Sequence, residues 1–120
     1  MPVIATATPA GIPLVRLTGD FDINDVVEVE SALAEAFEND AKALIIDLGD
    51  VGFLDSMMLR QIAHARERAQ QAEWKLVLVR PEPIIWRVFT ITGLAGIIPS
   101  FDSVADAEAH LAPSVAASGS

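Results

Sequence analysis

Two short runs constrain this chain most: Ala43-Leu44-Ile45-Ile46-Asp47-Leu48 and Lys75-Leu76-Val77-Leu78-Val79 are almost continuously apolar and sit between charged turns. A strand covered on both faces has this pattern, whereas a strand with one wet face alternates. Other segments carry apolar residues at steps of three and four. Val26, Val29, Leu33, Ala36 and Phe37 recur in this way over residues 25–38, with Glu28, Glu30, Glu35 and Glu38 on other faces. That spacing predicts an amphipathic helix, capped by Asn24 or Asp25, with Asp25 and Glu28 at the capping-box distance. A second helix is predicted from Asp55 or Ser56 to about Gln71. Buried strands alternating with helices imply a mostly parallel sheet with helices packed on it.

The remaining segments complete the pattern. Residues 4–8 and 14–18 predict two antiparallel edge strands joined through Pro9, Gly11 and Pro13. Gly19, Asp20, Phe21 and Asp22 predict a loop, as do residues 49–55. Pro83 opens a third helix whose apolar side holds Ile84, Ile85, Val88, Phe89 and Ile91, and Gly93 ends it in the left-handed conformation. Ile97 and Ile98 predict a last short strand, and Ser103 caps a final helix through Leu111. After Pro113, residues 114–120 are small and polar enough for a disordered tail. The expectation is an α/β fold in one domain, residues 1–112, with residues 113–120 a disordered tail. Its mixed sheet has four to five strands, with about four helices packed mainly on one side.

Composition removes several function classes. With 120 residues, 52% of them hydrophobic, there is material for one core. Eight Lys and Arg against 17 Asp and Glu give a net charge of −9, which opposes nucleic acid and leaves few cations to displace condensed counterions. The absence of cysteine excludes disulfides, thiolate metal sites and thiol catalysis. The longest apolar runs fall far short of the roughly 20 residues a membrane helix needs, so no membrane span is expected. Residues 1–11 lack a basic stretch followed by an apolar one, which leads to an expectation of a cytoplasmic protein.

Few residues suggest chemistry. His64 and His110 lie on different predicted helices without a metal-ligand partner, and the glycines do not form a phosphate loop. Neither a metal nor a cofactor is expected. Asp20, Asp22, Asp47, Asp50 and Asp55 sit at strand ends and loops, where carboxylates chiefly form turns and caps and only secondarily serve as acids or ligands. Ser56 lacks the Gly-x-Ser-x-Gly setting of a hydrolase nucleophile and is expected as a cap. On a helical wheel Met58 shares the arc of Leu59, Ile62, Ala63, Ala65 and Ala69. Met57 falls opposite, beside Gln61, His64 and Arg68. Met58 is therefore predicted to be buried and Met57 to project outward.

Three segments carry a family likeness: Leu17-Thr18-Gly19-Asp20-Phe21-Asp22, Val51-Gly52-Phe53-Leu54-Asp55-Ser56-Met57-Met58-Leu59 and Val88-Phe89-Thr90-Ile91-Thr92-Gly93-Leu94. In this order, over about residues 1–111, the chain resembles the STAS domain of the anti-sigma-factor antagonists. The resemblance implies a regulatory protein and not an enzyme. Its partner would be a serine-kinase anti-sigma factor of ATPase fold, which phosphorylates the serine at the loop-to-helix junction. By position Ser56 matches the phosphoacceptor, Asp55 the acidic residue before it, and Asp22 the aspartate that helps contact the kinase. Gly19, Asp20 and Met57 complete the expected partner-binding set. The family reads Asp-Ser-Ser-Gly-Leu or Asp-Ser-Thr-Gly-Leu where this chain reads Asp-Ser-Met-Met-Leu. That departure favours an alternative, an unphosphorylated STAS scaffold or accessory subunit of a signalling or transporter complex. An enzyme or small-molecule binder is the third and least supported reading.

Overall fold

The computed structural model describes residues 3–21, 23–38 and 42–118. In chain order the elements are β1 (Val3–Ala7), β2 (Pro13–Phe21), α1 (Val26–Ala36), β3 (Ala43–Leu54), α2 (Ser56–Gln71), β4 (Lys75–Val79), α3 (Pro83–Thr92), β5 (Ser100–Phe101) and α4 (Val104–Ser118). The five strands form one mixed sheet in the order β1-β2-β3-β4-β5, with only the β1–β2 pair antiparallel.

The apolar run Ala43–Leu48 lies in the middle strand, where all six residues are buried, Asp47 included. Its side chains alternate between two cores. Leu44, Ile46 and Leu48 meet Val29 and Leu33 of α1, Met58 and Ile62 of α2, and Phe89 of α3 on one face. On the other, Ala43 and Ile45 join Val77, Val79, and Ala107 and Leu111 of α4. Three helices thus cover one face and one helix the other. Each fully buried Leu or Ile stabilises the fold by about 1.5–3 kcal/mol, so this strand anchors both layers. Asp47 enters the buried run because Arg16, its register partner on β2, donates from Nε to Oδ2 at 2.9 Å, and Gly49 N–H donates to Oδ1 at 2.9 Å.

Several boundaries differ from the sequence expectation. Residues 19–21 and 49–54 are strand, not loop, because the ends of β2 and β3 pair with each other beyond the rest of the sheet: Thr18 with Asp50, Gly19 with Val51, Asp20 with Phe53 and Phe21 with Leu54. Register shifts between Arg16 and Thr18 and between Gly19 and Asp20 absorb the turn-forming residues. Asp22 lies outside the described residues. The helix expected over 25–38 is the shorter α1, preceded by a 3-10 turn (Ile23–Asp25). Asp25 stands at its N-cap in a helical conformation and makes no side-chain cap bond.

The last strand is Ser100–Phe101 and not Ile97-Ile98. Gly93 ends α3 with φ 86°, and a 3-10 turn (Leu94–Gly96) follows, in which the N–H groups of Ile97 and Ile98 both bond to Leu94 O. Ile98 then serves as a core plug. As the sequence suggested, Ser103 caps α4, its Oγ accepting from Asp106 N–H at 3.1 Å. That helix carries the backbone past Pro113 to Ser118, into the stretch expected to be a tail. Ala112, Ala116 and Ala117 are strong helix formers, and a proline removes one helical hydrogen bond.

Candidate functional site

The paired ends of β2 and β3 rise beyond β4 and deliver the chain into the N-terminus of α2. Asp55, extended at φ −94° and ψ 178°, is the N-cap, and its Oδ1 accepts from Met58 N–H at 3.1 Å. This settles which of two candidates caps the helix: the carboxylate does, and Ser56 becomes the first helical residue. The Ser56 side chain is exposed and forms no hydrogen bond among the described residues. A hydroxyl spared from capping is free for other chemistry.

Gly19 and Asp20 reach the same place from β2. Gly19 takes φ 84°, a conformation that favours glycine, and Asp20 is the register partner of Phe53, two residues before Asp55. The Asp20 carboxylate lies over the backbone of Gly52: a Cβ there would come within 2.8 Å of Asp20 Oδ1. Glycine at 52 thus permits this close approach. Asp20 and Asp50 are exposed and Asp55 is half-buried, so Ser56 lies at an acidic end of an acidic chain. The amino end of α2 offsets part of that field, a helix dipole being worth about 0.3–1 kcal/mol at an exposed site.

The wheel assignment of the methionines holds. Met58 is fully buried, in the core with Leu59, Ile62 and Ala65, whereas Met57 is half-exposed. Below Met57, the α2 face bearing Gln61, His64 and Arg68 borders α1 across a groove of about 430 Å³. The Arg68 guanidinium lies over the Phe37 ring, 4.9 Å from its centroid, and so covers apolar surface at the groove's far end.

Phe53, 52% exposed, is a member of this surface that sequence reasoning missed. Val51 and Leu54 are both buried, a spacing of three that breaks strand alternation and leaves Gly52 and Phe53 outside. Only that spacing in the sequence hinted at it. Among the described residues no group of three or more His, Asp or Glu side chains is placed to hold a metal ion, and no helix is long and apolar enough to cross a membrane.

Comparison with known proteins agrees with this architecture. The family model described as the STAS domain matches residues 3–107. The anti-sigma-F factor antagonist RsfB of Mycobacterium tuberculosis is 27% identical over 104 residues, covering 87% of this chain and 84% of RsfB. BtrV of Bordetella bronchiseptica, named as an anti-sigma factor antagonist, is 26% identical over 93 residues, covering 78% of this chain and 80% of BtrV. A crystal structure of an anti-sigma factor antagonist from Mycobacterium paratuberculosis superposes with a TM-score of 0.81 at 25% identity, covering 91% of this chain and 92% of that one.

Proposed function

The chain belongs to the STAS domain family, and on that premise we propose that it is an anti-sigma-factor antagonist: a non-enzymatic regulator that binds a serine-kinase anti-sigma factor of ATPase fold and is switched by phosphorylation of Ser56. The working unit is the domain of residues 1–112, acting in the cytoplasm. The named relatives support the general role, and the observation that carries the switch is the division of labour at the start of α2. Asp55 caps the helix and Ser56 stands exposed beside it, so modification of the hydroxyl costs the fold no hydrogen bond.

Phosphate adds about −1.5 to −2 charge. The helix N-terminus tolerates that charge within the domain, so its effect falls on the partner interface. There Gly19, Asp20, Asp55, Ser56 and Met57 present one acidic surface with an apolar edge, to which Phe53 adds; Asp22 belongs to the same proposed contact. Added charge must be desolvated next to Asp20 and Asp55 when the partner closes over it.

The test is to incubate the protein with ATP and the kinase-type anti-sigma factors of its own cell, map phosphate by mass spectrometry, and measure partner affinity for wild type, Ser56→Ala and Ser56→Asp. Phosphate at Ser56 and weaker binding of Ser56→Asp are expected; equal affinity of all three proteins, with no phosphate transferred, overturns the switch. A second reading, an unphosphorylated scaffold or accessory subunit of a signalling or transporter complex, is favoured by Met57 and Met58, which stand where the family has a hydroxyl and a glycine. It predicts partner binding indifferent to all three states.

A further inference from the structure

At the end of the sheet away from Ser56, one stretch of strand edge has no strand beside it. Parallel pairing turns the N–H and C=O of one residue to one side and those of the next to the other. Lys75 donates inward to Lys42 O at 3.0 Å, whereas Leu78 and Arg80 donate outward to Pro99 O and Phe101 O, each at 2.9 Å. Leu76 has the parity of Leu78, so its main-chain groups also face outward, one step below the start of β5. In that register Leu76 would donate to Ile97 O and accept from residue 99, but no Leu76–Ile97 bond is formed and residue 99 is a proline, which has no N–H to give. Among the described residues, therefore, the outer edge of Leu76 has no ladder partner.

A cleft of about 280 Å³ opens at this edge. Arg66 of α2 and His110 of α4 stand on its two sides, with Trp74 and the 49%-exposed Ile97 as apolar walls. Strand alternation puts Leu76 on the face covered by α2 and Lys75, with Val77, on the face covered by α4. Cations thus flank the open edge on both faces. In a chain with 17 Asp and Glu against eight Lys and Arg, not one acidic residue among the described residues lines this cleft. The local charge is opposite to that of the molecule.

We propose that this cleft docks an extended peptide segment carrying two adjacent acidic residues. The segment pairs with the main chain of Leu76 as an added strand. Because consecutive side chains of a strand point to opposite faces, one carboxylate reaches Arg66 and the next reaches Lys75 and His110. The complementarity selects an anionic peptide over a neutral one and disfavours a second copy of this acidic chain. The site shares no residue with the Ser56 surface, so its test is independent of the function proposed above.

The test is a titration of the isotope-labelled full chain with the capped hexapeptide Thr-Val-Glu-Glu-Val-Thr, read by amide NMR. The Leu76 amide is expected to shift and its hydrogen exchange to slow. Charge reversal, Lys75→Glu or Arg66→Glu, is expected to weaken binding about tenfold or more, as is typical when one member of a complementary pair is inverted. N-methylation of the two central peptide bonds, which removes their donors, is expected to abolish it. The same spectra report whether each variant is folded, and Lys75→Gln and Arg66→Gln serve if a reversal is not. The proposal is overturned if millimolar peptide leaves Leu76 unmoved, if both folded variants bind like wild type, or if the N-methylated peptide binds equally. It is also overturned if a straight-chain fatty acid, and not the peptide, moves these resonances.

Discussion

The carboxylate of Asp55 accepts the backbone N–H of Met58 at 3.1 Å, and this single bond assigns the capping role at the start of α2. Asp55→Ala is therefore expected to destabilise the fold by about 1 kcal/mol, the usual worth of a helix N-cap, whereas Ser56→Ala should stay within about 0.5 kcal/mol. Urea unfolding of the two variants, followed by circular dichroism, checks the difference. A larger loss for Ser56→Ala would return the cap to the serine.

Met57 and Met58 are adjacent in sequence and opposite in environment. Met58→Ala should cost about 2–5 kcal/mol by cavity formation, and Met58→Gly about 1 kcal/mol more through glycine's unfavourable helix propensity. Met57→Ser is expected to leave the melting temperature nearly unchanged while altering partner affinity or phosphorylation rate. Thermal unfolding together with a binding assay separates the two residues.

Gly52→Ala would place a methyl group 2.8 Å from the present position of Asp20 Oδ1. Asp20 is exposed and its side chain can swing away, so the loss of stability should be about 0.5 kcal/mol or less. The displaced carboxylate is nonetheless expected to lower partner affinity, and Gly52→Ala combined with Asp20→Ala should be no worse than Asp20→Ala alone. A double-mutant cycle on binding measures this coupling.

Arg16 and Asp47 join β2 to β3 on the face that α4 covers. Asp47 is 7% exposed and the Arg16 side chain considerably more so, so the two single variants are not equivalent. Arg16→Ala strands a buried carboxylate with, among the described residues, only the Gly49 amide as donor, and is expected to cost about 1–3 kcal/mol. Asp47→Asn keeps an acceptor for that amide and leaves a cation that water can reach, so it should cost less. Denaturant midpoints for the pair, at equal slope, test the order.

The sequence by itself determined the architecture and the start of α2 at Asp55 and Ser56. The doubly apolar runs of β3 and β4 could only be buried between layers, and the wheel of α2 could only turn Met58 inward, because burying apolar surface is the largest favourable contribution to folding and its periodicity is written in the chain. Pro83 and Gly93 likewise mark the ends of α3 through their own backbone restrictions.

What only the tertiary structure decided depends on neighbours distant in the chain. Residues 19–21 and 49–54 look like turns locally, yet they form strand because each supplies the other's hydrogen bonds across a bulged register. Ile97 and Ile98 look like a strand, yet the left-handed Gly93 and the turn after it spend their N–H groups on Leu94, displacing β5 to Ser100–Phe101; with no Leu76–Ile97 bond and no N–H on Pro99, the outer edge of Leu76 stays open. The exposure of Phe53 and the seating of the Asp20 carboxylate over Gly52 follow from the same strand pairing. Hydrogen-bond partners and close approaches between remote segments have no local signature, because propensity acts within a few residues and a ladder is completed only when the second strand arrives.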